Sequence, residues 1–152
     1  MPSPNLDDLP LALAGHVGYL LVRLGKHAQR LFSAEIAPLG LRPAHCDVLF
    51  ALADRGAMAQ VEIAGLLMIE PAHLVALLDQ LALFGHVIRA PDLIDRRRRT
   101  ICLTPDGTAT VAKLRDAAQR VEEMLLEGLS RDERARLRQN LRLLARDADE
   151  GD

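Results

Sequence analysis

The stretch DLIDRRRR, residues 92–99, decides the fold because it lies between two short apolar segments, at 86–90 and 100–103. Pro91 and the pair Thr104-Pro105 border these segments, as turn and cap residues often border paired strands. The residues between them are too charged to be buried. The sequence therefore predicts a β-hairpin whose tip carries four cations, Arg96, Arg97, Arg98 and Arg99.

Two short helices are predicted immediately before this hairpin. Apolar residues at helical spacing predict one helix over 60–67, with its apolar side chains inward, and a second from Pro71 to Gly85. The inward positions are Val61, Ile63, Ala64 and Leu67 in the first helix and Leu74, Leu77, Leu78, Leu81 and Phe84 in the second. Two helices across a tight turn, followed by a basic hairpin, form a winged helix-turn-helix. In that arrangement the second helix enters the major groove of DNA and the hairpin tip reaches the backbone or the adjacent groove.

Longer helices are predicted at both ends of the chain. Between Pro10 and Gly40 the apolar spacing predicts one helix of about eight turns with a buried stripe, Val17, Leu20, Leu21, Leu24, Ala28, Leu31, Phe32 and Ile36. A helix from Thr104-Pro105 carries a coiled-coil-like seam, Val111, Leu114, Ala118, Val121 and Leu125, which requires a partner. A last helix follows the capping box at 130–133, with Leu137, Leu141 and Leu144 inward.

Composition favours one helical domain, and the distribution of charge favours binding of a polyanion at one basic segment of the chain. The chain of 152 residues is 49% hydrophobic and 26% charged, which excludes a disordered chain. Its net charge of -2 conceals a basic strip of net +3 at 86–100 and an acidic tail of net -3 at 145–152. No apolar run reaches the ~20 residues of a membrane span and no basic-then-apolar leader opens the sequence, so we expect a cytoplasmic protein with no membrane partner.

Catalysis, cofactors and metals find little support in the sequence. No nucleophile phrase, glycine-rich loop after a strand or marked pair of carboxylates is present, so we expect neither an enzyme nor a cofactor. His16 and His27 are too far apart on a helix to share a metal ion, and we expect no metal site. Cys46 and Cys102 are interpreted as small apolar core residues, and whether either has a redox role stays open.

The hairpin phrase and its junction resemble the MarR family of bacterial regulators over about residues 11–146. The resemblance is carried by DLIDRR at 92–97 and ICLTPDG at 101–107, together with LGLRPA at 39–44 and LSRDER at 129–134. It implies a mainly α fold with a small β-hairpin, in one domain spanning 1–152. Residues 11–39 and 105–146 would be dimerisation helices, and 41–104 a winged helix-turn-helix lobe. A homodimer would present two such lobes to one palindromic operator, as a transcriptional repressor released by a small-molecule effector.

The resemblance also implies roles for single residues. Asp95 would orient the wing through a salt bridge, Arg97 would enter the minor groove, and Arg96, Arg98 and Arg99 would bind phosphates. The outward positions of the second helix supply further candidate DNA contacts, Ala72, His73, Val75, Ala76 and Gln80, to which Gln60 is added. That helix has no arginine or lysine, so we expect sparse base reading and affinity dominated by the wing.

An effector of this family would be an aromatic acid or another phenolic compound bound between the dimer helices and the DNA-binding lobe. The polar residues best placed by topology to line such a pocket are His16, Tyr19, Arg23 and His45. Because the second short helix has no arginine or lysine, one alternative function stays open. The chain could be a helical dimer that acts through protein contacts, with weak or no specific DNA binding.

Overall fold

The computed structural model describes residues 9–149, which form seven α-helices and three short strands in this range. The helices are α1 Leu11–Ala14, α2 Val17–Ile36, α3 Pro43–Arg55, α4 Gln60–Leu67, α5 Pro71–Leu83, α6 Pro105–Leu125 and α7 Arg131–Asp149. The strands are β1 Met58–Ala59, β2 Val87–Pro91 and β3 Arg99–Leu103. The mainly helical fold with a small β element is therefore confirmed. The parts of the predicted domain and acidic tail at residues 1–8 and 150–152 lie outside the described range.

The first long helix differs from its prediction because it is interrupted near its start and ends earlier. His16 adopts an extended conformation (φ -98°, ψ 124°) between α1 and α2, directly after Gly15, whose flexible backbone is unfavourable in a helix. At the other end α2 stops at Ile36, and a single 3-10 turn, Ala37–Leu39, contains Pro38. Gly40 then takes the left-handed conformation (φ 69°), which ends the segment where the sequence predicted.

The three strands form one antiparallel sheet in the order β1, β3, β2. The predicted hairpin forms, with Val87 paired to Leu103 at its base. Its strands extend one residue beyond the predicted segments towards the tip, where Pro91 pairs with Arg99. The two residues before α4 form an edge strand, since Met58 pairs with Ile101. This pairing attaches the hairpin to the beginning of the helix-turn-helix unit.

The hydrophobic core lies between α3, α5, the sheet and the first half of α6. Its fully buried members include Leu49, Ile63, Leu74, Leu78 and Leu114. In the helix-turn-helix unit, two residues predicted to face inward are exposed. Val61 is 73% exposed because it lies on the outer face of α4, and Phe84 is 45% exposed because α5 ends at Leu83.

A close approach of two backbone segments fixes the junction between the hairpin and α6. The Thr104 hydroxyl donates to the carbonyl of Gly85 and accepts from the N–H of Gly107 at 2.9 Å, while the N–H of Thr104 donates to the carbonyl of His86 at 3.0 Å. A Cβ placed on Gly107 would lie 2.0 Å from that His86 oxygen. The predicted threonine N-cap is thus confirmed, and glycine is required by space at the third position of α6.

The apolar stripes of the terminal helices remain largely exposed in the single chain. Of the predicted α2 stripe only Ile36 is buried, and Val17, Leu21 and Leu24 are exposed. The inward positions predicted for α7 are also wrong within one chain, since Leu141 and Leu144 are exposed and Leu137 is half-buried. The helical periodicity is correct, but one subunit does not supply the surface that these side chains need.

Within residues 9–149, no single helix has the length and apolar composition to cross a bilayer. Only two pairs of consecutive helices, α2 with α3 and α4 with α5, have the required length and apolar composition in this range when each pair is counted as one segment. The helices of these pairs meet at angles of 80° and 114°.

Candidate nucleic-acid interface

The α4–turn–α5 unit presents one exposed face beside the hairpin. Met68 is the turn residue at which the chain adopts a left-handed conformation (φ 52°, ψ 42°), and this redirects it from α4 into α5. The inner face of α5 is fully buried, whereas four predicted DNA contacts on its first two turns are exposed, Ala72, His73, Val75 and Ala76. Gln60, the fifth candidate on this unit, is half-buried at the start of α4.

Gln80, which the sequence placed among the base-reading residues, is held by α3 instead. Its Oε1 accepts from the guanidinium of Arg42 at 2.9 Å and contacts Nε2 of His45 at 2.7 Å. Nδ1 of His45 accepts from the N–H of Arg42 at 3.1 Å, so Nε2 carries the proton and donates to Gln80. Both lone pairs of this oxygen are therefore occupied, and a base contact through it would break two hydrogen bonds. The same contacts cap α3, where the sequence lacks a hydroxyl cap.

His45 itself is buried, with 2% of its surface exposed, rather than placed at an open pocket. Burial lowers its pKa below the ordinary value, and the positive charge of Arg42 acts in the same direction, against the hydrogen bond to Gln80. The ring of Phe84 meets His45 edge-on at a centroid distance of 6.0 Å. The neutral imidazole thus holds α5 against the N-terminus of α3.

The wing tip, residues 92–98, is shaped by its two aspartates. Oδ1 of Asp92 accepts from the N–H groups of Ile94 at 2.8 Å and Asp95 at 2.9 Å, and these bonds lower the pKa of Asp92. Oδ1 of Asp95 accepts from the N–H of Arg97 at 3.0 Å. In the structure Asp95 therefore contacts the wing backbone through this hydrogen bond, whereas the ion pairs formed within residues 9–149 do not include it.

Four arginine side chains project into solvent, Arg96, Arg97 and Arg98 from this tip and Arg99 from the first residue of β3. One is loosely tied to α4, because Arg98 lies 3.9 Å from a carboxylate oxygen of Glu62. A closer ion pair of 2.7 Å joins Arg89 on β2 to Asp79 on α5. Exposed pairs of this kind contribute only about 0–1 kcal/mol, but they show that the hairpin lies against both helices of the helix-turn-helix unit.

The residues predicted for an effector pocket are not gathered around one cavity. His16 precedes α2, Tyr19 and Arg23 follow along that helix, and His45 is buried in α3. An apolar groove of about 670 Å³, hereafter the helical groove, lies between α2, α6 and α7. Leu21, Leu24, Phe32, Val121 and Leu137 contribute to its walls, and none of the four predicted residues does.

The two cysteines lie in different environments. Cys46 is fully buried in α3, and burial raises the pKa of its thiol to about 12, so the reactive thiolate is disfavoured. Cys102 is half-buried in β3. Between residues 9 and 149 no group of three or more histidine, cysteine, aspartate or glutamate side chains is arranged to hold a metal ion.

Comparison with known proteins relates these features to one family. No protein-family model matches the chain. MarR of Salmonella typhimurium is 28% identical over 122 residues, covering 80% of this chain and 85% of that one. The transcriptional repressor NicR of Pseudomonas putida is 26% identical over 148 residues, covering 97% and 93%. The chain is therefore similar to regulators of the MarR family over most of its length.

Solved structures agree with this similarity. A mutant MarR from Escherichia coli complexed with operator DNA superposes with a TM-score of 0.73 at 26% identity, covering 84% of this chain and 92% of that one. BpsR of Bordetella bronchiseptica, studied for regulation of its DNA binding by 6-hydroxynicotinic acid, gives 0.75 at 28% identity, covering 90% and 98%. The fold of this chain is therefore the winged helix fold of these regulators.

Sequence reasoning missed two features of the interface. The contact between His45 and Gln80 joins residues 35 positions apart, for which no local pattern exists. The second feature is the exposure of Leu93 and Ile94 at the wing tip, which the phrase DLID could have revealed, because two aliphatic residues lie there between charged ones.

Proposed function

We propose that this chain is a sequence-specific DNA-binding transcriptional regulator of the MarR family, acting as a repressor that a small-molecule effector releases. The observation that carries the proposal is the exposed outer face of α5 beside a hairpin whose tip presents four solvent-exposed arginines. A helix of this size fits the major groove, ~12 Å wide, while arginines beside it neutralise phosphates or enter the adjacent groove. Relatives named as transcriptional regulators and a relative complexed with operator DNA support it.

In this proposal residues 41–104 form the DNA-binding lobe, and the contacts divide by chemistry. Arg96, Arg98 and Arg99 bind phosphates, and Arg97 enters the minor groove. Five residues of the α4–α5 unit contact bases or the backbone in the major groove, namely the half-buried Gln60 and the exposed Ala72, His73, Val75 and Ala76. Since none of these is a cation, the wing supplies most of the affinity.

The proposal includes a homodimer built from residues 11–39 and 105–146. Exposed apolar residues on α2 and α7 border the helical groove, and a second copy of the chain would remove them from water. Leu24 in α2 and Leu141 in α7 are both exposed and both line that groove. A two-fold symmetric dimer would present two lobes to a palindromic operator.

For the effector we propose an aromatic carboxylic acid, as expected from the sequence. The relative BpsR, with its regulation of DNA binding by 6-hydroxynicotinic acid, supports this class. Such a ligand lowers the DNA affinity if it binds the DNA-free conformation more tightly than the DNA-bound one. His16, Tyr19 and Arg23 remain the proposed polar contacts on α2. His45 would take part only by giving up the hydrogen bonds that cap α3.

The test is a salt titration of DNA binding with matched variants. The wild-type protein, a duplex from the region flanking its own gene, and a scrambled duplex of equal length are compared between ~50 and ~200 mM salt. We expect preference for the flanking DNA and an affinity that falls steeply with salt. Arg97→Ala removes one cation from each of the two subunits, so it weakens binding and lowers the slope of log affinity against log salt by about 2. Lys113→Ala, an exposed substitution on α6, leaves both unchanged.

Absent or salt-independent binding by the wild-type protein would overturn the proposal and favour the alternative of a helical dimer that acts through protein contacts. The effector is tested in the same assay with a panel of hydroxylated benzoic and nicotinic acids. A panel that changes neither the DNA affinity nor the melting temperature would refute this effector class.

A further inference from the structure

Two large aliphatic side chains stand at the outermost point of the wing with almost no protein contact. Leu93 is 99% exposed and Ile94 is 97% exposed. Their position is set by the turn, because the Asp92 carboxylate accepts from the backbone N–H groups of Ile94 and Asp95. The turn thus presents both side chains outward from an ordered loop and keeps them from folding back onto the sheet.

The charges around these residues indicate what covers them. Four arginines follow within six residues of Leu93, and all four are exposed. A partner must therefore be a polyanion that also offers apolar surface within a few ångströms of its charges. The minor groove of DNA meets both conditions, since deoxyribose rings line its walls and phosphates border it. Its narrow form in A·T-rich DNA attracts arginine in particular.

We propose that Leu93 and Ile94 form an apolar wedge that enters the minor groove next to Arg97 and packs against the deoxyribose walls. This inference rests on the proposed function and adds a contact that does not depend on charge. It compensates for the cation-free outer face of α5, because burial of apolar area contributes affinity that counterions do not compete for. It also favours A·T-rich sequence beneath the wing, where the groove is narrow and sugar walls lie close to an inserted side chain.

The test separates this contact from the arginine contacts by its salt dependence. The double variant Leu93→Ser with Ile94→Ser is expected to bind the preferred duplex about 10-fold more weakly, by the same factor between ~50 and ~200 mM salt, because no cation is removed. Arg97→Ala differs by changing the slope. Leu83→Ser is the matched control, since Leu83 is 84% exposed at the far end of α5. It should bind like the wild type.

Hydroxyl-radical footprinting supplies a second readout, because the radical attacks deoxyribose from the minor groove. The double variant should lose protection of the sugars beneath each wing and keep protection where α5 lies. All variants are exposed-surface changes, so their melting temperatures should match the wild type.

Each other outcome overturns the inference. Wild-type affinity and footprint in the double variant would mean that the wedge does not touch DNA, while the proposed function stands. Loss of sedimentation with phosphatidylglycerol vesicles, with DNA binding unchanged, would assign the wedge to a lipid surface. Failure of the wild-type protein to bind any duplex would remove the proposed function and the wedge with it.

Discussion

Replacing Met68 by glycine should stabilise the fold, because Met68 is the non-glycine residue with a positive φ among the described residues. Its φ of 52° and ψ of 42° are left-handed, a conformation that costs an L-residue about 1–2 kcal/mol through contact between Cβ and the carbonyl oxygen. The side chain is 86% exposed, so its removal loses little buried area. The strain is therefore available for relief at almost no cost in packing.

The expected gain is smaller than the strain, because glycine also raises the entropy of the unfolded chain by about 0.4–1 kcal/mol. The difference predicts that Met68→Gly increases the free energy of unfolding by about 0.5–1 kcal/mol, or raises the melting temperature by ~2–3 °C. Met68→Ala is the control, since it removes the side chain and keeps Cβ, and it should stay within ~0.5 kcal/mol of the wild type.

Urea unfolding followed by circular dichroism measures this difference. All three proteins must be compared at one concentration, because a dimer unfolds in a concentration-dependent manner. The reasoning would be refuted if Met68→Gly and Met68→Ala unfolded at the same urea midpoint, or if the glycine variant were the less stable of the two. Either result would mean that the turn between α4 and α5 is not left-handed at this residue.

Two further predictions follow from the junction and from the buried histidine. Gly107→Ala should destabilise the protein by ~3 kcal/mol, because the added Cβ would lie 2.0 Å from the carbonyl oxygen of His86. The control Gly65→Ala, in open space on α4, should stabilise the protein by up to ~1 kcal/mol. Equal urea midpoints for the two variants would contradict the close approach at Gly107. Burial lowers the pKa of His45, so below about pH 6.5 the unfolded chain binds a proton more readily than the folded one, and the free energy of unfolding decreases as the pH is lowered. His45→Gln should make the free energy of unfolding less dependent on pH between about pH 7.5 and 5.5. If its pH dependence equalled that of the control His27→Gln, an exposed position, the prediction would be contradicted.

Features with a local chemical cause were predictable from the sequence. The helix α4 has the predicted bounds, 60–67, and the capping box before α7 forms as predicted. There the Glu133 carboxylate accepts from the N–H of Ser130 at 2.8 Å and from its hydroxyl at 2.7 Å. Each of these signals lies within four residues of the structure that it specifies, so no knowledge of the tertiary fold is needed.

Features that depend on distant partners were not predictable in the same way. The edge strand at Met58 exists because Ile101 pairs with it, and the side-chain oxygen of Gln80 is occupied because Arg42 and His45 lie beside it. The break at Gly15 depends on a competition between helix propensity and local backbone freedom that a periodic apolar pattern does not register. In the first two cases the deciding energy comes from contacts outside the sequence window that supplied the signal.

The α2 stripe shows a different limit, which bears on the proposed dimer. A spacing of three and four states that one face of a helix is removed from water, but it does not state which chain covers that face. In the single subunit Leu21 and Leu24 are exposed and line the helical groove. The predicted burial of the α2 stripe therefore does not occur within one subunit. We expect it to occur between two subunits instead. A monomer at micromolar concentration would leave this apolar surface in water without compensation, so sedimentation equilibrium at low concentration tests the interpretation of the stripe directly.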